Sequence, residues 1–459
     1  MNEDLNIVVI GAGSASFGLE TLSGLLTQEK LKGCTLSLVD INEKNLEDIT
    51  KLTKIGNEHW KSNITIQSTT DRTKVLPDAD YVILSVAIDR EETWKKDHEI
   101  GKKFGIWHYA ENGGPGSFSH TARGLAFIMP ILYDIHDLAP QSWLLNYTNP
   151  VPRISYAAEY ANVNCISLCH QIWHSYGIVG RYLAKDLNIT DPELLNLEFK
   201  WSDDYFKLFK IYVDKSFQNY EIKAAGLNHF IWILDIKRRE NGEDLYPLVR
   251  EQREKIHPKY EPLTQHMFKT FNILPGPGDT HLSEYVPYTL TKSNWEKYSI
   301  ELYDFKWAIK HREKIWDRIH QIVSGKQVFN LKPNFHERAD WIISEIENNE
   351  NTYEHSVNII NNGAINNLPN DAIVEVPALI NKFGVSGMKI GSLPETIAAL
   401  CNREISVAKL MTKAGIEGDR NAAIQAFALD PMVNDLEKAE LLVDEYLSIH
   451  KEYLPQFNN

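Results

Sequence analysis

The first 170 residues alternate short apolar runs with longer amphipathic stretches. The runs lie at Ile7 to Ile10, Thr35 to Val39, residues 81–87, residues 143–145 and residues 165–168, with a weaker alternation at residues 64–67. Continuous apolar runs of this length are typical of buried parallel strands, and their alternation with helical stretches predicts a doubly wound α/β domain. A glycine-rich segment at residues 113–117 predicts a loop, followed by a helix from about His120 to Leu138. We assign this domain to residues 1–190.

The pattern changes in the second part of the chain, residues 191–459. Residues 206–213 and 221–236 alternate like long strands without an intervening helix, which predicts an antiparallel sheet. Residues 245–330 are mostly helical in pattern. A turn-rich loop precedes an apolar strand at residues 373–376, and helices are predicted from about residue 394 onward. This region is therefore expected to form an α+β domain.

Composition excludes several classes of protein. The 459 residues are 43% hydrophobic and 24% charged, which is ordinary for a globular protein. The net charge of −14 argues against general nucleic-acid binding, which needs a basic face. Apolar runs fall short of the roughly 18 residues of a membrane span, and the acidic start is unlike a signal peptide.

The cysteines favour a reducing compartment. The chain has Cys34, Cys165, Cys169 and Cys401, without a CxxC pair or dense spacing. Reduced thiols in a cytoplasmic protein are the economical interpretation. One of these thiols is then free to bind a metal ion.

A glycine turn follows the first predicted strand. Gly11, Gly13 and Ser14 lie between that strand and a helix, and Asp40 ends the second strand. This order is typical of a dinucleotide site, in which the glycines allow close approach of the pyrophosphate and the acid accepts from the adenosine ribose. Ser16 replaces the third glycine of the usual pattern. Asp40 would repel a 2′-phosphate, so NAD is favoured over NADP.

Chemically capable side chains follow two further strands. Asn149 comes after the strand at residues 143–145, and Cys169 and His170 come after the strand at 165–168. Together with His229, Cys169 and His170 could bind zinc, manganese or iron, because thiolate and imidazole suit these ions. Each is more often a buried core residue when it occurs alone. Asp279 lies in a Pro/Gly-rich loop, where an aspartate is most often a turn residue, and its neighbours His281 and Glu284 could equally be solvated.

These residues together resemble glycoside hydrolase family 4, the NAD- and metal-dependent glycosidases. The segments that carry the resemblance are I-G-A-G-S, L-V-D-I, N-Y-T-N-P, the C-H pair, A-G-L-N-H-F, V-E-V-P and the C-terminal G-I-E-G-D-R-N-A-A-I-Q-A-F-A-L-D-P. They span essentially the whole chain. The resemblance implies a Rossmann-type domain followed by an α+β domain of the lactate/malate-dehydrogenase type.

The resemblance also implies a mechanism outside the usual two-carboxylate scheme. NAD takes a hydride from sugar C3, a base removes the C2 proton, the glycosidic oxygen leaves, and water and hydride are then returned. A divalent ion, Mn²⁺ or another, stabilises the charge that develops at the sugar oxygens. By motif match Cys169 and His229 bind the ion, Asn149 binds substrate, and Gly11, Gly13, Ser14 and Asp40 contact NAD.

The remaining roles follow from the branch of the family that the chain resembles. Members acting on 6-phospho-sugars have an acid where this chain has His170, so His170 indicates an unphosphorylated substrate and is assigned as the general acid. Asp279 is assigned as the base, with Tyr285 as the fallback. A uronide would need a cation for its carboxylate, with Arg90 and Arg123 as candidates.

The leading hypothesis is an α-glycosidase that acts on an unphosphorylated hexoside. The substrate could be an α-galactoside, an α-galacturonide or an α-glucoside. The alternatives are an NAD-dependent sugar or hydroxy-acid dehydrogenase on the same fold, and a catalytically inactive NAD-binding regulator. We expect a cytoplasmic homodimer or homotetramer whose partners are small molecules, not nucleic acid or membrane.

Overall fold

One twelve-stranded mixed sheet runs through the protein. The computed structural model describes residues 4–107, 112–332 and 337–458, with the backbone alone for residues 15–20. The sheet order is β3-β2-β1-β4-β5-β6-β10-β11-β7-β8-β9, and β12 pairs with β11. The strands are β1 (Asn6–Ile10), β2 (Thr35–Val39), β3 (Thr65–Thr69), β4 (Tyr81–Leu84), β5 (Trp143–Asn146), β6 (Cys165–Ser167), β7 (Tyr220–Leu227), β8 (Phe230–Arg238), β9 (Leu274–Pro275), β10 (Thr352–Ile360), β11 (Ile373–Asn381) and β12 (Gly384–Gly387).

The first six strands are parallel, and all of them except the edge strand β3 are mostly buried. Their order, β3-β2-β1-β4-β5-β6, is that of a dinucleotide-binding α/β fold. The four residues of β4 are all buried, as expected for a central strand covered on both faces. The predicted doubly wound parallel sheet is therefore confirmed.

The antiparallel strands extend the same sheet. Asn358 of β10 pairs with Ser167 of β6, and Glu375 of β11 pairs with Gly226 of β7. The β7–β8 hairpin confirms the strands predicted for residues 221–236. Because the sheet is continuous, it does not itself mark the predicted division at residue 190, which stays a prediction.

Helices cover both faces of the sheet. They are α1 (Ala15–Thr27), α2 (Glu43–Trp60), α3 (Arg90–Lys103), α4 (Pro115–Leu138), α5 (Val151–Tyr160), α6 (Gln171–Tyr182), α7 (Pro192–Leu195), α8 (Asp203–Asn219), α9 (Tyr246–Gln252), α10 (Pro262–Phe271), α11 (Gly278–Leu282), α12 (Lys292–Tyr298), α13 (Phe305–Val323), α14 (Ala339–Asn348), α15 (Glu395–Glu417), α16 (Arg420–Leu429) and α17 (Leu436–Ile449). The C-terminal helices α15–α17 confirm the helices expected after residue 394. Helix α15 packs against α4 and α5, which joins the C-terminal helices to the parallel half of the sheet.

The strand predicted at residues 206–213 is wrong. These residues lie in α8, where Tyr205, Phe209, Tyr212 and Val213 are buried at a spacing of three to four residues. The Ser202 side chain accepts from the amide of Tyr205 and caps the helix. The aromatic residues favour strand by local propensity, but their packing against α6 favours helix.

Helix α4 begins earlier than predicted. Pro115, Gly116 and Ser117 belong to its first turn, whereas the sequence predicted a loop through residue 117. A proline is tolerated in the first turn because the amide it lacks has no intrahelical partner there. Among the described residues, none of the helices is long and apolar enough to cross a membrane.

Candidate functional site

The glycine turn brings the β1–α1 connection against the end of β4. Gly11 has φ of +91°, and a Cβ at this position would lie 1.9 Å from the carbonyl oxygen of Ser85. Only glycine fits such a close approach in the left-handed region. The Ser14 amide donates to the Gly11 carbonyl at 3.3 Å, and Ser14 forms the N-terminal boundary of α1. The helix N-terminus therefore lies directly behind the turn, as an anion site requires.

Asp40 lies at the end of β2, beside the glycine turn. Its Oδ2 accepts from the Gly13 amide at 2.8 Å, and its Oδ1 accepts from the Asn42 amide at 2.8 Å. A Cβ on Gly13 would approach the Asp40 carboxyl carbon to 2.7 Å. The predicted cofactor-binding residues thus form one contiguous edge at the carboxyl ends of β1 and β2.

Cys169 and His229 meet although 60 residues separate them in sequence. Cys169 follows β6, and His229 lies in the turn between β7 and β8. The Cys169 Sγ is 3.1 Å from the His229 Nε2. The pairing of β10 with β6 and of β11 with β7 brings these two strand ends together.

The chemistry of this pair fits a divalent ion. Atoms 3.1 Å apart can both lie within the roughly 2.0–2.3 Å bonding distance of one ion. Burial raises the pKa of the Cys169 thiol, and the nearby Glu375 carboxylate adds to that effect. A metal ion would therefore displace a proton from the thiol on binding. Within the described residues, no group of three or more His, Cys, Asp and Glu side chains is arranged to hold a metal ion.

His170 lies at the exposed side of the same strand end. Its Nε2 is 2.8 Å from the Glu337 Oε1, and the side chain of His170 is 51% exposed whereas that of Glu337 is 8% exposed. The next residue, Arg338, donates from its Nη2 to the Cys169 carbonyl at 3.1 Å. Glu337 and Arg338 were not identified from the sequence, because nothing local in the segment before α14 indicates that it reaches β6.

Asn149 carries an unsatisfied acceptor. Its Oδ1 is buried, and no described residue donates a hydrogen bond to it. Buried amide oxygens are seldom left in this state. The carbonyl therefore suits a ligand hydroxyl at the end of β5, which is the role the sequence predicted for it.

Asp279 caps a helix. Its two carboxylate oxygens accept from the amides of Leu263 at 2.8 Å and Thr264 at 2.7 Å, in the first turn of α10. Its own amide donates to the buried Glu261 carboxylate. Burial raises the pKa of Asp279 to about 6. The carboxylate thus has an evident structural task, and its predicted role as base stays a prediction.

Tyr285 and His281 lie directly beside His229. The Tyr285 hydroxyl accepts from the His229 amide at 3.1 Å. The His281 ring stacks on the His229 ring, with centroids 4.5 Å apart. The His281 Nδ1 is 3.2 Å from Oε2 of the buried Glu284. The sequence does not decide the roles of His281 and Glu284, although their spacing of three residues indicates that they share one face.

Arg123 is committed to a structural ion pair. Its guanidinium donates to both oxygens of Asp97, at 3.0 and 2.6 Å, and both side chains are buried. Arg123 is therefore not positioned to receive a substrate carboxylate. Arg90 lies over the Trp94 ring, 4.7 Å from its centroid.

Comparison with known proteins gives a consistent result. Residues 6–221 match the model of Family 4 glycosyl hydrolase, and residues 224–433 match that of the Family 4 glycosyl hydrolase C-terminal domain. An alpha-glucosidase of Erwinia rhapontici is 29% identical, with 98% of each chain covered. An alpha-galactosidase of Bacillus subtilis (strain 168) is 27% identical, with 98% of this chain and 99% of the relative covered.

A solved structure supports the fold. A 6-phospho-alpha-glucosidase from gut microorganisms, in complex with NAD and Mn²⁺, has a TM-score of 0.77 at 20% identity. The match covers 99% of this chain and 100% of the other. The Rossmann-type parallel sheet followed by an α+β part is thereby confirmed. Because the family models match almost the entire chain, as the sequence motifs predicted, this protein belongs to family 4 of the glycosyl hydrolases.

Proposed function

We propose that this protein is an NAD- and divalent-metal-dependent α-glycosidase acting on unphosphorylated hexosides. The observation that carries the proposal is the meeting of Cys169 Sγ and His229 Nε2 at 3.1 Å in a chain of this family. Thiolate and imidazole side by side are an unusual pair for simple glycoside hydrolysis, which normally uses two carboxylates. They are ordinary ligands for a transition metal.

The cofactor assignments rest on the turn after β1. Gly11, Gly13 and Ser14 would receive the pyrophosphate of NAD, and Asp40 would accept from the adenosine ribose. When bound, NAD supplies a hydride acceptor and donor at sugar C3. The solved relative bound to NAD and Mn²⁺ supports the choice of both cofactors.

Cys169 and His229 would hold the ion, for which we propose Mn²⁺. The ion supplies Lewis acidity at the sugar C2 and C3 oxygens. Two protein ligands leave room for those oxygens in the coordination shell. Asn149, with its unfilled buried acceptor, would orient a sugar hydroxyl beside the nicotinamide.

His170, next to Cys169, supports a substrate without phosphate, because members of the family that act on 6-phospho-sugars have an acid at this position. The Glu337 Oε1 lies 2.8 Å from the His170 Nε2, so this buried carboxylate orients the imidazole. The alpha-glucosidase, alpha-galactosidase and alpha-galacturonidase relatives also support an unphosphorylated α-hexoside.

Two proton-transfer roles complete the proposal. His170, oriented by Glu337, would protonate the leaving oxygen. The base at sugar C2 is Asp279 or Tyr285, and the contacts favour Tyr285. Its hydroxyl lies 3.1 Å from the His229 amide, whereas both Asp279 oxygens accept from α10.

A panel of nitrophenyl α-glucoside, α-galactoside, α-galacturonide and their 6-phosphates tests the function. With Mn²⁺, NAD and a thiol reductant we expect hydrolysis of an unphosphorylated α-hexoside, without steady accumulation of NADH. Hydrolysis that survives removal of both NAD and metal would overturn the proposal. Stoichiometric NADH formation would indicate a dehydrogenase, and NAD binding without exchange of the sugar C2 proton would indicate a regulator. The cytoplasmic location and the homodimer or homotetramer remain predictions, the latter measurable by light scattering.

A further inference from the structure

A buried carboxylate lies behind the His229 ligand. Glu375 is on β11, in the otherwise apolar run of residues 373–376, and is 1% exposed. It pairs with Gly226 on one side and with Asn358 on the other. Burying a carboxylate in a central strand is costly unless its oxygens are hydrogen-bonded. Its partners therefore indicate what it is there to hold.

The two oxygens of Glu375 bind two different elements. Oε2 accepts from the Asn228 Nδ2 at 2.9 Å, and Oε1 accepts from the Ser356 Oγ at 2.5 Å. Asn228 is the residue before His229, so the first bond fixes the turn that carries the ligand. The His229 amide is held independently by the Tyr285 hydroxyl.

Further hydrogen bonds connect Ser356 with the second proposed ligand, Cys169. The Ser356 carbonyl accepts from the Arg338 Nη1 at 2.8 Å, and the Arg338 Nη2 donates to the Cys169 carbonyl at 3.1 Å. The guanidinium is also paired with the buried Glu354 carboxylate. A continuous path thus runs from Cys169 through Arg338, Ser356 and Glu375 to Asn228, next to His229.

We propose that Glu375, through Ser356 and Arg338, is the positioning residue that holds the Cys169 and His229 backbones at the spacing a metal ion needs. The two ligands lie on separate strand ends, and no covalent or regular backbone pairing joins them directly. The side-chain path supplies that connection. Residues that contact metal ligands without binding the metal commonly act in this way, because their hydrogen bonds orient the ligands. This inference rests on the proposed metal site.

The hydrogen bonds, not the charge, carry the proposed effect. In Glu375→Gln the amide oxygen can still accept from Asn228, and the amide NH₂ can donate to the Ser356 hydroxyl. In Glu375→Leu both bonds are lost, although the side chain has a similar volume. Ser356→Ala removes one link of the path with little change of shape. Ser344→Ala is a matched control, because Ser344 is equally buried but lies on α14, outside the path.

The experiment measures Mn²⁺ affinity of the full chain saturated with NAD, by the electron paramagnetic resonance signal of free Mn²⁺, without substrate. Thermal unfolding shows that each variant is folded. We expect Glu375→Leu to weaken Mn²⁺ binding by about 10- to 100-fold, and Ser356→Ala by a smaller factor in the same direction. Glu375→Gln and Ser344→Ala should stay within about threefold of the wild type.

Three outcomes overturn the inference. Folded Glu375→Leu with wild-type Mn²⁺ affinity would show that the path is not needed. Weakening by Glu375→Gln equal to that by Glu375→Leu would assign the effect to charge. Equal weakening by Ser344→Ala and Ser356→Ala would make it a general packing effect. If the wild-type chain itself binds no Mn²⁺, the proposed function fails instead, so the two failures are distinguishable.

Discussion

The imidazole rings of His229 and His281 are stacked, with centroids 4.5 Å apart and planes 13° from parallel. The side chain of His281 is 30% exposed, and its Nδ1 lies 3.2 Å from the Glu284 Oε2, which is itself buried. One face of the proposed metal ligand is therefore covered by a second ring that a buried carboxylate orients. The stack restricts rotation of the His229 ring while its Nε2 stays directed at the Cys169 sulfur.

Two substitutions at His281 distinguish the effect of its ring from the effect of its hydrogen bond. His281→Phe keeps an aromatic ring over His229 but loses the contact with Glu284, whereas His281→Ala loses both. Because the ring face is what restricts His229, we expect kcat/KM to fall by about 10- to 100-fold in His281→Ala and clearly less in His281→Phe. Steady-state kinetics at saturating NAD and Mn²⁺ measures this. Equal losses in the two variants would instead assign the effect to the Glu284 contact.

Cys169→Ser tests the thiol as metal ligand. An alcohol is a much weaker ligand than a thiolate at neutral pH, so metal-dependent turnover should fall below detection. NAD affinity should remain nearly intact, because the cofactor edge lies at β1 and β2. Cys165→Ala is the matched control, since this thiol is on β6 only four residues earlier and contacts the Ser167 hydroxyl at 3.6 Å. Loss of NAD binding in Cys169→Ser would make the thiol structural.

The two candidate bases are compared by exchange of the sugar C2 proton into deuterated water, with the Mn²⁺ affinity of each variant as the control for an intact metal site. Tyr285→Phe removes the hydroxyl beside the His229 amide and should suppress exchange by about 100-fold or more, the scale of a lost general base. Asp279→Asn should mainly destabilise the chain by about 1–3 kcal/mol, because one oxygen that accepts from α10 becomes a donor. Suppressed exchange in a well-folded Asp279→Asn, with exchange intact in Tyr285→Phe, would assign the base to Asp279.

Local sequence patterns were sufficient to predict the parallel sheet and the segments that form the cofactor edge. The glycine turn, the acid of Asp40 and the buried strands are all encoded within short segments, so periodicity and spacing could identify them. Cys169 follows a predicted strand, whereas His229 lies within the stretch 221–236 that was predicted as strand, and both were assigned as ligands by motif match. Helix α8 was missed because Phe209 and Tyr212 have high strand propensity, and only their packing against α6 decides the outcome.

The supporting contacts could not be predicted because their partners are distant in sequence. Glu375 is 147 residues from Asn228, and Arg338 is 169 residues from Cys169. The available signal was an acid within the apolar run of residues 373–376, which indicates a buried and therefore paired carboxylate. The same signal does not identify the partner. Likewise Arg123 could not be excluded as a substrate cation until Asp97 was found at 2.6 Å.

The Asp97–Arg123 pair is expected to be essential for stability. The His450 Nε2 also contacts Asp97, at 2.8 Å, so the carboxylate ties α17 and α4 to α3. Arg123→Met leaves a buried carboxylate short of a partner and should lower the free energy of unfolding by about 3–5 kcal/mol. Arg420→Met, which breaks the exposed pair with Asp444, should cost within about 1 kcal/mol. Urea unfolding of both variants makes the comparison, and equal losses would contradict it.

The Asp97–Arg123 pair also makes the stability of the protein depend on pH in the acid range. Although burial opposes ionisation, Arg123 and His450 lower the pKa of Asp97 to about 2. A lowered folded-state pKa stabilises the protein above the unfolded value of about 3.9, and this stability is lost as pH falls toward 2. The difference in unfolding free energy between wild type and Asp97→Asn should therefore shrink between pH 4 and pH 2, in urea titrations at each pH. A constant difference over this range would show that the pKa of Asp97 in the folded protein is not lowered from its unfolded value.

Two buried carboxyl groups at the C-terminal helices, those of Glu404 and Asp430, predict the opposite pH dependence of stability. Burial raises the pKa of Glu404 on α15 to about 8, with the Asp430 carboxylate adding to the effect, and burial raises the pKa of Asp430 to about 6. The folded protein therefore keeps protons that the unfolded chain releases near its ordinary carboxyl pKa of about 4.3. Because the folded state binds more protons, stability falls as pH rises from there through about 8.

Glu404→Gln removes the part of this dependence that Glu404 contributes, because a neutral amide has no proton to lose. Relative to wild type, the variant should gain stability between pH 5 and pH 8.5, and the gain should be largest at the alkaline end. Glu417→Gln, at the half-exposed end of the same helix, is the control and should follow the wild type at both pH values. Thermal unfolding at the two pH values is sufficient, since titrating groups that do not interact with Glu404 cancel in the difference between variants. Parallel curves for wild type and Glu404→Gln would mean that Glu404 is already ionised at pH 5, held so by the Arg403 guanidinium 3.1 Å away.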